Sequence, residues 1–261
     1  MNAQPLIRRL SRYVALTPDD ERLVEEAARE RVRRVGPRED VMREGERPRC
    51  LYLLVDGWGM RYKSLEDGRR QVLTFALPGD LCEQTALLLE HADHSLAAIT
   101  PITVAEIAGP RLAELTTASP RLATALAWSD LCGHALQREW TVNLGQRTAL
   151  ERMAHLICEL YYRLRAIGHT HGLAYELPAT QAMLADATGI SAVHVNRTLQ
   201  ELRAAELITL RGRHMTIHDL EALETAGLFN ASYLHLDQSA RSTSGQADVT
   251  PIPARSVATE P

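Results

Sequence analysis

The stretch from 178 to 218 constrains this chain more than any other. Pro178-Ala179-Thr180 lead into a run, 181–187, that reads as a short helix, and Thr188-Gly189 then make a tight turn. Ser191 is a good N-cap for a second helix, from 192 to about 205. Helix, glycine turn and capped second helix, in that order, read as a helix-turn-helix. In the second helix Val195, Leu199 and Leu202 recur on one side, and Val193, Asn196, Arg197, Gln200 and Ala204 occupy the other. After Glu206 comes a compact hairpin: 207–210, the turn Arg211-Gly212-Arg213, then 214–218. Asp219 caps a last short helix through about 226.

The polar side of the second helix suits double-stranded DNA. An arginine can grip guanine O6 and N7 with two hydrogen bonds, Asn or Gln can do the same for adenine, and an apolar side chain can touch a thymine methyl. Val193, Asn196, Arg197 and Gln200 are therefore the candidate base-reading residues. Thr180 and Ser191, at helix N-termini, and Arg211 and Arg213, at the hairpin tip, are candidates for the sugar–phosphate backbone. Between Arg197 and His214 there are four arginines and two glutamates, a local excess of +2 on a chain of formal net charge −4. A nucleic-acid site has to be local on such a molecule.

Upstream, the texture is different. Residues 5–30 read as helix, with a strong start signal at Thr17-Pro18-Asp19-Asp20-Glu21. From 31 to 108, short β-forming runs (31–35, 41–43, 51–55, 58–63, 71–77, 95–100 and 102–107) alternate with Gly-containing turns, the pattern of a sandwich or barrel. Residues 119–144 read as a long helix with two apolar lines. One holds Leu122, Leu126, Ser129, Gly133, Leu136, Trp140 and Leu144, and the other Trp128, Leu131, Ala135 and Val142. Two lines imply burial on two sides, for example against a second copy in a homodimer. A second helix, 147–167, has a single stripe: Leu150, Met153, Ala154, Ile157, Leu160, Tyr161 and Leu164, ended by Gly168. Residues 237–261 hold almost no large apolar side chains and read as a disordered tail. The expected class is α+β: a β-sandwich or barrel domain (1–118), a long helix (119–144), a helix-turn-helix with its hairpin (145–236) and the tail.

The order barrel, long helix, helix-turn-helix, hairpin resembles the Crp/Fnr family of bacterial transcription regulators, over about residues 5 to 236. In the barrel the likeness rests on Gly45-Glu46, Leu51-Tyr52-Leu53-Leu54-Val55-Asp56-Gly57 and Pro78-Gly79-Asp80-Leu81. The more specific likeness is Thr180-Gln181, Leu184-Ala185, Gly189-Ile190-Ser191, Val195-Asn196-Arg197-Thr198-Leu199 and Leu207-Ile208. The resemblance implies that 1–118 is a β jelly-roll effector domain, 119–144 a dimerisation helix and 145–236 a winged helix-turn-helix, in a cytoplasmic homodimer on a two-fold symmetric operator, with an effector pocket in the barrel and contact with RNA polymerase in an activator. It places the possible effector pocket at Gly79, Asp80, Gln84, His94 and Ser95. Cyclic-AMP-binding members carry a Glu after the Gly-Asp turn and an Arg-Ser pair on the cyclic phosphate. Here Gln84 and His94-Ser95 stand in those places, and His94 is a weak substitute for a phosphate-clamping arginine at neutral pH. The implied effector is a small molecule other than cyclic AMP bound in the usual way. A glutamate common in the family's recognition helix is replaced by Val193 or its neighbour, so the usual half-site does not carry over, whereas Arg197 matches the base-reading arginine directly.

Other chemistry is less well marked. The cysteines Cys50, Cys82, Cys132 and Cys158 are scattered without C-x-x-C spacing, so reduced thiols and no metal or cofactor are expected. No apolar run reaches the roughly 18 residues of a membrane span, and 1–10 lack a secretory signal's apolar stretch. A jelly-roll metalloenzyme would want convergent His and acidic ligands. His91, Asp93 and His94 share one apparent loop, His169 and His171 another, and the strand runs between 31 and 81 hold no histidine. No nucleophilic triad signature is present, so no enzyme is expected. The remaining alternative is an adaptor whose helix-turn-helix has lost DNA binding.

Overall fold

The computed structural model describes residues 3–82 and 90–236. Two helices open the chain, α1 (Gln4–Leu10) and α2 (Pro18–Glu30), where the sequence suggests one. The start signal at Thr17 is real: its Oγ accepts from the Asp20 N–H at 3.2 Å, and the Asp20 carboxylate accepts from the Thr17 N–H at 2.8 Å. Pro18 restricts the residue before it to extended backbone, so no helix can run in from 11–16.

Among the described residues eight strands follow: β1 (Val32–Val35), β2 (Asp40–Met42), β3 (Cys50–Asp56), β4 (Gly59–Ser64), β5 (Arg70–Ala76), β6 (Leu81–Cys82), β7 (Ser95–Ala98) and β8 (Ile102–Ala108). They form two antiparallel sheets, β1-β8-β3-β6 and β2-β7-β4-β5. The alternation of β3 shows how the layers work. Cys50, Tyr52 and Leu54 face the interior between the sheets, while Leu51 and Leu53 face a second core with α1, α2 and the following helices. All four cysteines are buried, and none is in a disulfide.

Next come α3 (Gly109–Ala118), which the sequence reading did not identify, and α4 (Pro120–Gln146). The two apolar lines expected on α4 separate differently. Ala135 is buried, and Trp128 is covered within the chain by Tyr13, stacked at 6.2 Å between ring centroids, and by His235. Leu131 and Val142 remain exposed, at 56% and 45%. Then follow α5 (Ala149–Ile167), β9 (Ala174–Glu176), α6 (Gln181–Thr188), α7 (Ala192–Ala204), β10 (Ile208–Arg211), β11 (His214–Ile217), α8 (Leu220–Ala226) and a 3-10 turn, Ala231–Leu234.

The single stripe read for α5 is a correction: every residue from Met153 to Tyr161 is buried. Helix α5 packs against α1, α4, α7, α8 and the terminal 3-10 turn, so it has no solvent face over this span. Its polar residues are satisfied inside. Glu159 accepts from Trp140 Nε1 at 2.9 Å, from the Tyr233 hydroxyl at 3.0 Å and from Arg163 at 3.3 Å, and burial pushes its carboxyl upward. His155 Nε2 lies 3.1 Å from the Tyr233 hydroxyl, and desolvation, helped by Arg147, pushes its pKa down to about 3.

Helix α1 closes over the barrel turn at Gly79. This glycine has φ +87°, and a Cβ there would lie 2.7 Å from the Pro5 carbonyl carbon. Gly79→Ala is expected to lose about 1–3 kcal/mol in chemical denaturation, from backbone strain and displacement of α1. His155 supplies a pH signature. Its folded pKa, about 3, lies below its ordinary 6.5, so the unfolded chain binds the extra proton between those values. The stability it contributes is complete above pH 6.5 and falls as the pH drops toward 3. Denaturation midpoints between pH 6.5 and 4.5 should therefore fall less steeply for His155→Gln than for the wild type.

Candidate nucleic-acid interface and effector cavity

Local capping fixes the two helices that would meet DNA. Thr180 Oγ accepts from the Met183 N–H at 3.2 Å and starts α6. Gly189, at φ +68°, ends α6 with its N–H on the Ala185 carbonyl, and Ser191 Oγ accepts from the His194 N–H at 3.2 Å to start α7. Both cap hydroxyls are thus engaged as acceptors, and each retains a hydrogen to donate.

Helix α7 is anchored by Val195, Leu199 and Leu202, all fully buried, with Thr198 beside them. Its outer side carries Val193 at 83% exposure, Arg197 and Gln200 exposed, and Asn196 half-buried. The four base-reading candidates therefore share one accessible face. Arg197 Nε lies 3.4 Å from Glu201 Oε1, an exposed i,i+4 pair. On the hairpin β10–β11, Arg211 opposes His214 across the turn, and Gly212 has φ +60° with open space around it. Arg211 and Arg213 are exposed there. Strand β9 adds a third strand to this wing, and the Leu177 N–H donates to the Arg213 carbonyl at 2.7 Å.

The barrel grips the helix-turn-helix directly. Arg70, at the start of β5, places Nε and Nη2 at 2.9 and 2.7 Å from one Asp186 carboxylate oxygen on α6. Gln71 Nε2 donates to the Ala187 carbonyl at 3.4 Å. Nothing in the local pattern of either segment marks this tie, since the partners are 116 residues apart.

The expected effector group divides. Gln84 lies outside the described residues. Gly79 serves the α1 contact, and buried Ser95 accepts from the Glu44 N–H at 3.0 Å. His94 Nδ1 is 2.6 Å from Asp93 Oδ1. Asp80 and His94 do line one cavity, of about 140 Å³, between the barrel and α4. Asp80 accepts from the Leu77 N–H at 2.8 Å and from Arg163 at 2.7 Å, and pairs with Arg9. Burial opposes its ionisation, but Arg9, Arg163 and Arg61 prevail and hold the carboxyl below its ordinary range. These three arginines line the cavity and were not singled out from sequence.

Among the described residues no cluster of three or more His, Cys, Asp or Glu could hold a metal, and no helix is long and apolar enough to cross a membrane.

Comparison with known proteins agrees with this layout. Residues 32–119 match the cyclic nucleotide-binding domain family, and residues 151–226 the Crp-like helix-turn-helix domain family. The chain is 31% identical over 181 residues to the transcriptional activatory protein AadR of Rhodopseudomonas palustris, covering 68% of this chain and 73% of that one. It is 30% identical over 192 residues to the nitrogen fixation regulation protein FixK of Rhizobium meliloti, covering 72% and 83%. The structure of FixK2 from Bradyrhizobium japonicum shares the fold, with a TM-score of 0.67 at 24% identity over 75% of this chain and 96% of that one. A barrel tied to a winged helix-turn-helix through one buried helix, together with these relatives, establishes that the chain belongs to the Crp/Fnr family of DNA-binding transcription regulators.

Proposed function

We propose that this regulator acts in the cytoplasm as a homodimer that reads a two-fold symmetric operator. One observation carries the reading: α7 is pinned by Val195, Leu199 and Leu202 and turns Val193, Asn196, Arg197 and Gln200 outward together. Arg197 reads guanine, Asn196 and Gln200 read adenine, and Val193 meets a thymine methyl. Thr180, Ser191, Arg211 and Arg213 hold phosphates and fix the register. The working division is an effector domain (1–118), a dimerisation helix (119–144) and a DNA-binding domain (145–236), with 237–261 as a tail outside the described residues.

Dimerisation is supported by the two large apolar side chains α4 leaves exposed, Leu131 and Val142. The effector is a small molecule other than cyclic AMP. His94, bonded to the Asp93 carboxylate, offers no guanidinium fork of the kind that grips a cyclic phosphate. As an activator, the dimer would contact RNA polymerase.

Arg197→Ala is expected to weaken binding to a selected operator by about 1–3 kcal/mol per half-site, while binding to unrelated DNA changes little. Fluorescence anisotropy on both duplexes across a salt series checks this. An unchanged operator affinity would overturn direct reading by Arg197, and failure of the wild type to bind any duplex specifically would favour an adaptor. For the dimer, light scattering should give twice the 29.0 kDa chain mass, and Leu131→Glu should shift it toward the monomer. A stable wild-type monomer at micromolar concentration would remove the dimer.

A further inference from the structure

We infer that Val193 makes this regulator a reader of the pyrimidine C5-methyl group, so that 5-methylcytosine in the operator is preferred over unmodified cytosine. The class of ligand is duplex DNA whose methylation state changes the affinity. This deepens the proposed reading face and rests on it.

The argument begins with an exposure that folding does not explain. Val193 is 83% exposed, the highest value among the large apolar side chains of the described residues. Val195, Leu199 and Leu202 hold α7 down and are fully buried, so Val193 adds nothing to the core. A β-branched side chain on a helix is confined to essentially one rotamer. Its methyl groups therefore point in a fixed direction before DNA arrives. Ala192 beside it is also exposed and too small to shield it.

Placement gives the target. Val193 lies in the first turn of α7, just past the Ser191 cap. In a helix-turn-helix that end of the second helix is the part that reaches base edges in the major groove. Asn196 and Arg197 follow at i+3 and i+4, on the same side of the helix. Their forked polar groups suit purine edges, which leaves a pyrimidine edge to Val193.

What the first turn lacks decides the chemistry. A carboxylate is the side chain that accepts from the cytosine N4 amino group. No acid occurs between Asp186 and Glu201. Asp186 is held by Arg70 at 2.7 Å, and Glu201 lies about two turns beyond Val193, paired with Arg197. An isopropyl group neither donates nor accepts, so it does not distinguish O4 of thymine from the N4 amino group of 5-methylcytosine. It gains only from burying a methyl carbon against itself. Thymine and 5-methylcytosine both carry that carbon at C5, and uracil and cytosine do not.

The test uses the full chain and the operator it selects from random duplexes. Two replacements change the methyl group alone: uracil against thymine, and 5-methylcytosine against cytosine. Each pair is compared at every thymine position of the half-site in turn, in both half-sites together, by anisotropy at fixed salt. At one position uracil should bind about fourfold more weakly than thymine per half-site, the size expected for one buried methyl group. At that same position 5-methylcytosine should bind about fourfold more tightly than cytosine per half-site. Val193→Ala should bring both ratios below about twofold, because less apolar surface meets the methyl group. Its melting temperature and light-scattering mass should match the wild type, and Val193→Ile should keep both ratios. A selected half-site in which no position responds to the methyl group overturns the inference. So does a Val193→Ala protein that keeps the full response, which would assign the methyl group to another side chain. An operator selected yet indifferent to the methyl group refutes this inference alone, whereas a wild type that selects no duplex refutes the reading face beneath it as well.

Discussion

Everything in this structure is referenced to one helix that has no water-facing side over its middle. Helix α5 is buried from Met153 to Tyr161, between the barrel side and the DNA-binding side of the molecule. A single apolar core runs from Trp58 and Phe75 of the barrel, through Trp140 of α4 and the α5 residues, to Leu184, Val195 and Leu199 of the helix-turn-helix. Close-packed interiors transmit displacement because they have little free volume to absorb it. The orientation of α7 is therefore set by the barrel as well as by its own three-helix neighbourhood.

Two polar ties sit on top of that core, and their strengths differ. The Arg70–Asp186 pair is about a third exposed on each side and belongs with the surface pairs worth at most about 1 kcal/mol. It can specify the angle between β5 and α6 without dominating stability. The Arg9–Asp80–Arg163 node is far less exposed, and removing any member would leave charge in a low-dielectric site. The weaker tie can open at little cost, while opening the stronger one would strand charge in the interior.

The local part of the fold was legible in sequence, and the long-range part was not. Thr17, Thr180, Ser191 and Asp219 each cap a helix where expected, because a cap is decided within three or four residues. Gly189 and Gly212 mark turns for the same reason. The strand pattern gave seven of the eight barrel strands among the described residues, missing β6, which follows the Pro78-Gly79-Asp80 turn directly. On α5 periodicity showed one stripe, because His155 and Glu159 are buried yet polar, and only Tyr233, Trp140 and Arg163 make that tolerable. Likewise Trp128 was free for a partner chain on pattern alone, until Tyr13 and His235, distant in sequence, covered it. On the DNA side the four reading candidates fell on one face, as amphipathic spacing requires. The cavity arginines went unseen because Arg9, Arg61 and Arg163 share no motif and meet only in three dimensions.

On the proposed reading face, Glu201 beside Arg197 needs a physical account, since an acid near DNA is unfavourable. The pair is exposed and one helical turn apart, a geometry worth about 0.3–0.5 kcal/mol. A bidentate guanine contact is worth about 1–3 kcal/mol. In the proposed complex Arg197 leaves Glu201 for guanine, and the exchange is favourable. On unrelated DNA the guanine contact is missing, Arg197 stays paired with Glu201, and its matched charge adds little attraction for the phosphates. The pair thus weakens non-specific binding more than specific binding. That asymmetry matters for a chain with net charge −4, whose affinity for DNA has to come from one small basic surface.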